Sequence, residues 1–247
     1  MHDVDSYEDA LIDRFRSHPV LANITHLPEP DFAEVLLQRR FVSLAFTPAY
    51  DLAIDLLEDE AARQIARVIL REEYPGSHGR TRSHREDMVE DMLRLGISRR
   101  QVVASRPTPA TLRAVEDTFA LIASAGGHPD SDLRVLTVLR FWGEVLVAAE
   151  YERLWERMST VLATSGDNRS VFYHPHLLHD AKTLPLAGAA EQSGTHADAL
   201  ASRIAALLAE QPSPAVFKSL ERQALRLKTA FYDQFLPALD RLPATSR

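Results

Sequence analysis

A short stretch in the second half of the chain concentrates side chains that bind metals. It reads Phe172-Tyr173-His174-Pro175-His176-Leu177-Leu178-His179-Asp180. If Pro175 opens a helix, where its missing N–H and fixed φ cost nothing, His176 and Asp180 lie four positions apart on one helix face. An imidazole and a carboxylate on one face form half of a metal site. The stretch therefore predicts that further ligands come from elsewhere in the chain.

Glu150 is one candidate for a further ligand, because it falls inside an apolar stripe of a long predicted helix. The stripe contains Leu136, Leu139, Gly143, Leu146 and Leu154, at steps of three and four. A carboxylate buried without a partner costs several kcal/mol or takes up a proton. A bound cation and an internal salt bridge to an arginine both meet that need. The sequence leaves these two interpretations open.

Glu73 and His84 are the other two candidates. His84 stands at the head of a stripe with Met88 and Met92, and Glu73 ends the preceding predicted helix. A histidine on an apolar face is more often a core residue with its hydrogen bonds satisfied than a metal ligand. Glu72 fits the helix period as well as Glu73 does, so periodicity does not choose between them.

The composition limits the class of protein. The 247 residues carry a formal net charge of −7 with their basic residues scattered, which argues against nucleic acid as a partner. No apolar run reaches the roughly 20 residues of a membrane span, and the acidic start is unlike a signal peptide, so we expect a cytoplasmic protein. Cysteine is absent. Any metal must then be held by histidine and carboxylate, and a thiol nucleophile is excluded.

The hydrophobic pattern predicts an all-α protein of seven to nine helices with a single core, as one domain over residues 1–247. Capping boxes, prolines and glycines delimit the predicted helices, which are 5–17, 31–44, 49–73, 84–95, 109–125, 131–163, one from Pro175 until Pro185 interrupts it, 195–210 and 213–236. No segment shows β alternation or an Asn-Gly hairpin. An apolar face near the C-terminus around Phe217 and Phe231 fits either core packing or a homodimer contact.

The ordered set of candidate ligands resembles a known family. Glu73-Tyr74-Pro75-Gly76, Ser83-His84, Ala148-Ala149-Glu150-Tyr151 and the Phe172 to Asp180 stretch are similar, in that order, to the haem-oxygenase-like diiron oxidases and oxygenases, also called the iron-containing redox enzyme family. The likeness covers roughly residues 31–235. It implies a haem-oxygenase-like bundle of about seven core helices that binds two Fe(II) ions and uses O2 as co-substrate.

The resemblance also assigns ligand roles to residues. Glu73, favoured over Glu72, and His84 are the first carboxylate and histidine, Glu150 is the bridging carboxylate, and His176 and Asp180 are the ligands of the later helix. The family pattern adds a histidine three residues after the aspartate. In this chain that position is Thr183, and Pro185 breaks the helix nearby. Three interpretations follow: His179 substitutes as a ligand, the second iron is weakly held, or only one iron binds.

The function that the resemblance implies is a non-haem diiron oxidase or oxygenase acting on a small carboxylate, amino-acid derived, in specialised metabolism. Arg80, Arg82 and Arg85 are candidates to meet that carboxylate, although surface arginines are more often solvated. A ferritin-like site needs Glu-x-x-His, which is absent. A thiaminase-like relative of the same fold uses a cysteine, which is also absent. The alternative is a non-catalytic helical interaction or scaffold protein with a degenerate metal site.

Overall fold

The computed structural model describes residues 2–76, 81–164, 167–186, 188, 194–210 and 213–242. The described residues form thirteen α-helices, which are α1 (His2–Arg16), α2 (Pro19–Ala22), α3 (Glu29–Leu44), α4 (Phe46–Leu56), α5 (Glu60–Glu72), α6 (His84–Arg94), α7 (Arg99–Ala104), α8 (Pro109–Gly126), α9 (Ser131–Val138), α10 (Leu146–Leu162), α11 (Tyr173–His179), α12 (His196–Glu210) and α13 (Pro214–Asp233). Short 3₁₀ turns cover Ile24–His26 and Leu236–Arg241. Ala163–Thr164 and Asp167–Asn168 pair as a minimal antiparallel β-ladder.

A π-helix joins two of these helices into one continuous rod at the centre of the bundle. It covers Leu139–Val145, between α9 and α10. Every residue from 135 to 151 is buried, so this rod is covered on all sides. Helices α1, α8, α11, α12 and α13 pack against parts of it. Side chains that it directs toward different neighbours therefore reach different parts of the interior.

Several helix ends follow the predicted local chemistry. Ser83 and Glu86 form the predicted capping box, in which the Ser83 N–H donates to Glu86 Oε2 at 2.8 Å. Gly96 follows the same helix with φ +90°, a left-handed conformation that glycine adopts without strain. The Thr108 hydroxyl accepts a hydrogen bond from the Thr111 N–H at the start of α8. These caps fix where α6 and α8 begin.

The predicted helix 49–73 is two helices, α4 and α5, in the structure. The N–H groups of Glu58 and Asp59 donate to Asp132 Oδ1, at 2.8 and 3.0 Å, so they bond to a neighbouring helix and not along their own. The Asp59 side chain then caps α5 by accepting from the Ala62 N–H at 2.7 Å. The break follows from this tertiary contact, which helix periodicity does not report.

Helix α11, which contains His176 and most of the histidine-rich stretch, also begins at a different residue from the one predicted. It starts at Tyr173 and ends at His179, so Pro175 is its third residue and not its first. The buried carboxylate of Asp91, on α6, accepts hydrogen bonds from the N–H groups of Val171, Phe172 and Tyr173. Asp91 thereby satisfies the N-terminal donors of α11 and fixes that helix to α6.

None of the helices in the described ranges is both long enough and apolar enough to cross a bilayer. Buried apolar side chains from both halves of the chain form a continuous core cluster. The assignment of residues 1–247 to one domain stays a prediction.

Candidate metal centre

A cavity of about 380 Å³ lies between the central rod and the helices around it. Histidine and carboxylate side chains on its wall fall into two groups of three, and in each group the potential ligand atoms lie within 4.8 Å of one another. The first triplet is Glu73, His84 and His176, and the second triplet is Glu144, Asp180 and His196. All six side chains line the same cavity.

The first triplet joins the end of α5 to the start of α6 and to α11. Glu73 follows the last residue of α5, and His84 is the first residue of α6. His84 Nδ1 lies 3.0 Å from Glu73 Oε1, and the rings of His84 and His176 are 4.6 Å apart. His176 Nδ1 donates to the Phe172 carbonyl oxygen at 2.7 Å. That bond leaves the Nε2 lone pair of His176 as the atom that can bind a metal.

The second triplet brings three more elements together. Glu144 belongs to the π-helix, Asp180 follows the last residue of α11, and His196 is the first residue of α12. His196 Nδ1 lies 3.4 Å from Glu144 Oε2 and 3.3 Å from Asp180 Oδ1, and its Nε2 lies 3.3 Å from Glu72 Oε2. The Tyr50 hydroxyl donates to Glu144 Oε1 from the opposite side.

The charges of the two triplets show why a cation fits. Burial, followed by the charge of His84, lowers the pKa of His176 well below its usual range, so His176 is neutral and its lone pair is available. Burial, followed by the charge of Glu144, raises the pKa of Asp180 well above its usual range. Burial alone lowers the pKa of His196, but hydrogen bonds to Asp180, Glu144 and Glu72 raise it to about 12. These carboxylates therefore attract positive charge, as a proton or as a divalent cation.

Four of the predicted ligands lie in the two triplets: Glu73, His84, His176 and Asp180. Glu150 does not. Its carboxylate is fully buried and accepts hydrogen bonds from Arg39 Nε at 2.6 Å, from Lys228 Nζ at 3.4 Å and from the Tyr232 hydroxyl. The salt bridge that the sequence left open is thus what the structure contains, and the glutamate of this rod that lines the cavity is Glu144.

Neither His179 nor Thr183 lies where a sixth ligand was expected. His179 is exposed at the cavity edge, with its ring 6.0 Å from that of His196, and belongs to neither triplet. The Thr183 N–H and hydroxyl donate to the carboxylate of Asp198. The chain has left α11 by then, and the imidazole that lies beside Asp180 in the structure is that of His196, the first residue of the next helix.

The three arginines expected near the site differ in where they lie. Arg82 pairs with Asp87, with Nε 3.1 Å from Oδ1, and Arg85 lines the cavity. Arg80 lies outside the described residues.

Solved structures with the same overall fold exist. A TenA-family transcription regulator from Silicibacter sp. TM1040 is 14% identical, with 94% of each chain covered and a TM-score of 0.58. A TenA homologue from P. horikoshii OT3 is 12% identical, with 96% of this chain and 98% of that one covered and a TM-score of 0.59. No protein-family model and no curated protein matches the chain. At such low identity these likenesses show the fold alone.

The comparisons define the fold class and correct the expected function. The all-α haem-oxygenase-like fold is confirmed, since the TenA-family structures have it. The prediction of a diiron O2-activating oxidase or oxygenase is wrong, because the structures that this chain resembles are TenA-family proteins and not diiron oxygenases.

Proposed function

We propose that the protein binds two divalent transition-metal ions, one in each triplet, and is a metal-dependent enzyme that acts on a small molecule in the cavity. The observation that carries this proposal is the pair of three-residue groups, each with its ligand atoms within 4.8 Å and each combining imidazole with carboxylate. The six residues come from the end of α5, the start of α6, the π-helix, α11 with the residue that follows it, and the start of α12.

The donor set favours certain metals. Imidazole suits transition metals, whereas Mg²⁺ and Ca²⁺ prefer sites made of oxygen ligands alone. The first triplet offers two imidazoles and one carboxylate, and the second offers one imidazole and two carboxylates. Mixed nitrogen and oxygen sites of this kind suit Fe(II), so two Fe(II) ions per chain are the specific proposal, with Mn(II) and Zn(II) as the competing ions to test.

The surrounding residues would hold the ligands in position. The Phe172 carbonyl fixes the ring orientation of His176, and the Tyr50 hydroxyl fixes one oxygen of Glu144. Ions held by the two triplets would polarise and orient an oxygen-containing group on a bound molecule. The remaining wall is largely apolar and includes Phe46, Ile69 and Met88. Such a wall excludes water and fits a small organic molecule.

Metal counting on purified protein tests the proposal. Protein stripped with a chelator is loaded anaerobically with Fe(II), and in parallel with Mn(II) and Zn(II), and the bound metal is counted by elemental analysis after desalting. We expect two ions per chain. Loading should also raise the melting temperature, because the ligands come from separate helices that meet only in the folded protein.

Two matched pairs of variants make the test specific to the triplets. His176→Ala removes a ligand of the first triplet, and His174→Ala is its control, since the His174 ring packs on Trp155 at 4.9 Å and lies in neither triplet. His196→Ala removes a ligand of the second triplet, and His179→Ala is its control because His179 belongs to neither triplet. Each ligand variant should bind about one ion fewer than its control. Equal metal counts within both pairs would refute the proposal.

A further inference from the structure

Beside the cavity, Arg39, Lys228 and Glu150 form a buried group that contains two cations and one carboxylate. Arg39 and Lys228 are each 3% exposed, and both line the cavity that contains the two triplets. Among the described residues, the carboxylate that forms a salt bridge with either of them is Glu150 in both cases. Two buried cations therefore share one carboxylate.

The donors of these two cations are only partly used. Arg39 donates from Nε to Glu150 and from Nη1 to Ser43 Oγ, at 2.6 and 2.7 Å, and no hydrogen bond from its Nη2 is found within the described residues. Lys228 Nζ makes one hydrogen bond, to Glu150 Oε2 at 3.4 Å. Since both side chains line the cavity, N–H donors remain for a bound molecule.

Another buried charge cluster in the same bundle has no such excess. Arg140 pairs with Glu8, and Lys182 pairs with Glu8 and with Asp9. Glu221 Oε1 lies a further 3.9 Å from Arg140. Carboxylates there at least equal the cations in number, as expected of a cluster that only stabilises the fold.

Glu73, Glu144 and Asp180 also line the cavity, so the cavity as a whole has no excess of positive charge. Within the described residues, however, none of these three carboxylates forms a salt bridge with Arg39 or Lys228, so the unused N–H donors of the two cations are available to an anionic group of a ligand.

The walls near this charge are apolar or aromatic. Lys228 Nζ lies 5.4 Å from the centre of the Trp142 ring, and Arg39 Cζ lies 5.2 Å from that of Tyr151. The Tyr151 ring is in turn 6.2 Å from the His176 ring of the first triplet. A molecule whose charged group meets Arg39 and Lys228 would thus have its body next to the triplets.

We infer that Arg39 and Lys228 form a subsite for a small organic molecule with one anionic oxygen group, a carboxylate or a phosphate, and an apolar body. Guanidinium and ammonium donors make strong charge-assisted hydrogen bonds to such oxygens. The inference rests on the proposed function only in taking the cavity as a ligand site. It does not require bound metal.

Calorimetric titration with three ligands of one chain length tests the subsite. Hexanoate, hexyl phosphate and hexan-1-ol are titrated into the purified protein, whose metal content is measured in the same sample. We expect an anion to bind at least tenfold more tightly than the alcohol, and the tighter of the two anions identifies the charged group. Equal affinity for the alcohol and for both anions would overturn the inference.

Two lysine variants on α13 locate the effect. Lys228→Met should weaken anion binding at least tenfold and leave binding of the alcohol unchanged. Lys218→Met is the matched control, because Lys218 lies on the same helix and pairs with the exposed Asp3 at 2.6 Å, away from the cavity. Unchanged anion binding by Lys228→Met also overturns the inference. If that variant does not fold, the comparison of the alcohol with the anions on metal-free protein decides, because bound metal ions also attract anions.

The two proposals fail separately. Protein that binds two ions but shows no preference for the anions retains the proposed metal centre and loses the subsite. Protein that binds no metal yet prefers the anions through Lys228 retains the subsite and loses the metal centre.

Discussion

Glu144 and Glu150 lie six residues apart on the same buried rod, and their neighbours differ in charge. Glu144 is 1% exposed and stands beside Asp180, His196 and the Tyr50 hydroxyl. Glu150 is 0% exposed and stands beside Arg39, Lys228 and the Tyr232 hydroxyl. Each glutamate has a tyrosine donor. The difference is that one shares its surroundings with a second carboxylate and the other with two cations.

This difference shows that burial alone does not make a carboxylate a metal ligand. Burial by itself raises the pKa of Glu150, but the charges of Arg39 and Lys228 outweigh it and the pKa is lowered, so the carboxylate is already ionised and paired. It has no need of a metal. Glu144 and Asp180, in contrast, are two carboxylates with one imidazole between them. A divalent cation would stabilise two carboxylates placed so close together.

The largest effect expected from this comparison is on stability. Glu150→Gln removes the carboxylate that Arg39 and Lys228 share, so two buried cations lose their charged partner. We expect the free energy of unfolding to fall by about 3–5 kcal/mol, measured by urea denaturation. Glu152→Gln is the control, since Glu152 pairs with Arg16 at 2.6 Å on the surface, where such a pair contributes about 0–1 kcal/mol. A loss no larger than that of the control would contradict the ion-pair assignment.

Glu144→Gln should instead change metal binding. The variant lacks one ligand of the second triplet, so elemental analysis should count about one ion per chain where the original protein holds two. Glu150→Gln, where enough of it folds, should keep both ions. The comparison fails if Glu150→Gln loses an ion and Glu144→Gln does not.

The pH dependence of stability tests the environment of Lys228, one of the two cations beside Glu150. Burial lowers the pKa of Lys228 from 10.5 to about 8. The charges of Glu150 and Asp180 oppose this shift, and the charge of Arg39 adds to it. The folded protein then binds fewer protons than the unfolded chain between about pH 8 and 10.5, so the free energy of unfolding rises with pH in that window. From pH 7.5 to 9.5 we expect a gain of about 2 kcal/mol relative to Lys228→Met, measured by urea denaturation. An equal slope in both proteins would contradict it.

The smallest effects are expected from Tyr50 and Tyr232, the tyrosines that donate to Glu144 and to Glu150. Tyr50→Phe removes the hydrogen bond to Glu144, and we expect metal affinity at the second triplet to fall about tenfold in a chelator competition. Tyr232→Phe removes the corresponding bond to Glu150, and we expect a loss of about 1–3 kcal/mol in stability with metal affinity unchanged. If both variants lost metal affinity alike, the two sides of the rod would not be separate.

Local sequence signals were sufficient for most of the fold. The capping box at Ser83, the helix start at Thr108-Pro109 and the stop at Gly96 are encoded within a few residues, and the structure has them. The break between α4 and α5 was not predictable, because it depends on the bond from Glu58 and Asp59 to the distant Asp132. The short helix α7 was missed although Ser98 and Gln101 form a capping box that the sequence displays.

The candidate site was predictable to the extent that its residues stand out locally. His84, His176 and Asp180 do so, and Glu73 was chosen by resemblance. Glu144 was missed because every residue around it is buried, so no polar face exists against which a stripe can be recognised. His196 was missed because it is brought to Asp180 by the fold and not by helix spacing. Its position at the start of a predicted helix, 195–210, was the available signal.

The π-helix has a consequence for how this sequence can change length. A π-helical turn contains one residue more than an α-helical turn over the same span. Deleting a single residue within Leu139–Val145 would restore α geometry and leave α9 and α10 nearly unrotated relative to each other, because the extra residue is accommodated within the π turn. The side chains inside the segment, Glu144 included, would instead point in different directions around the helix axis. We therefore expect such a deletion to keep the packing of α9 and α10 and to move Glu144 away from Asp180 and His196.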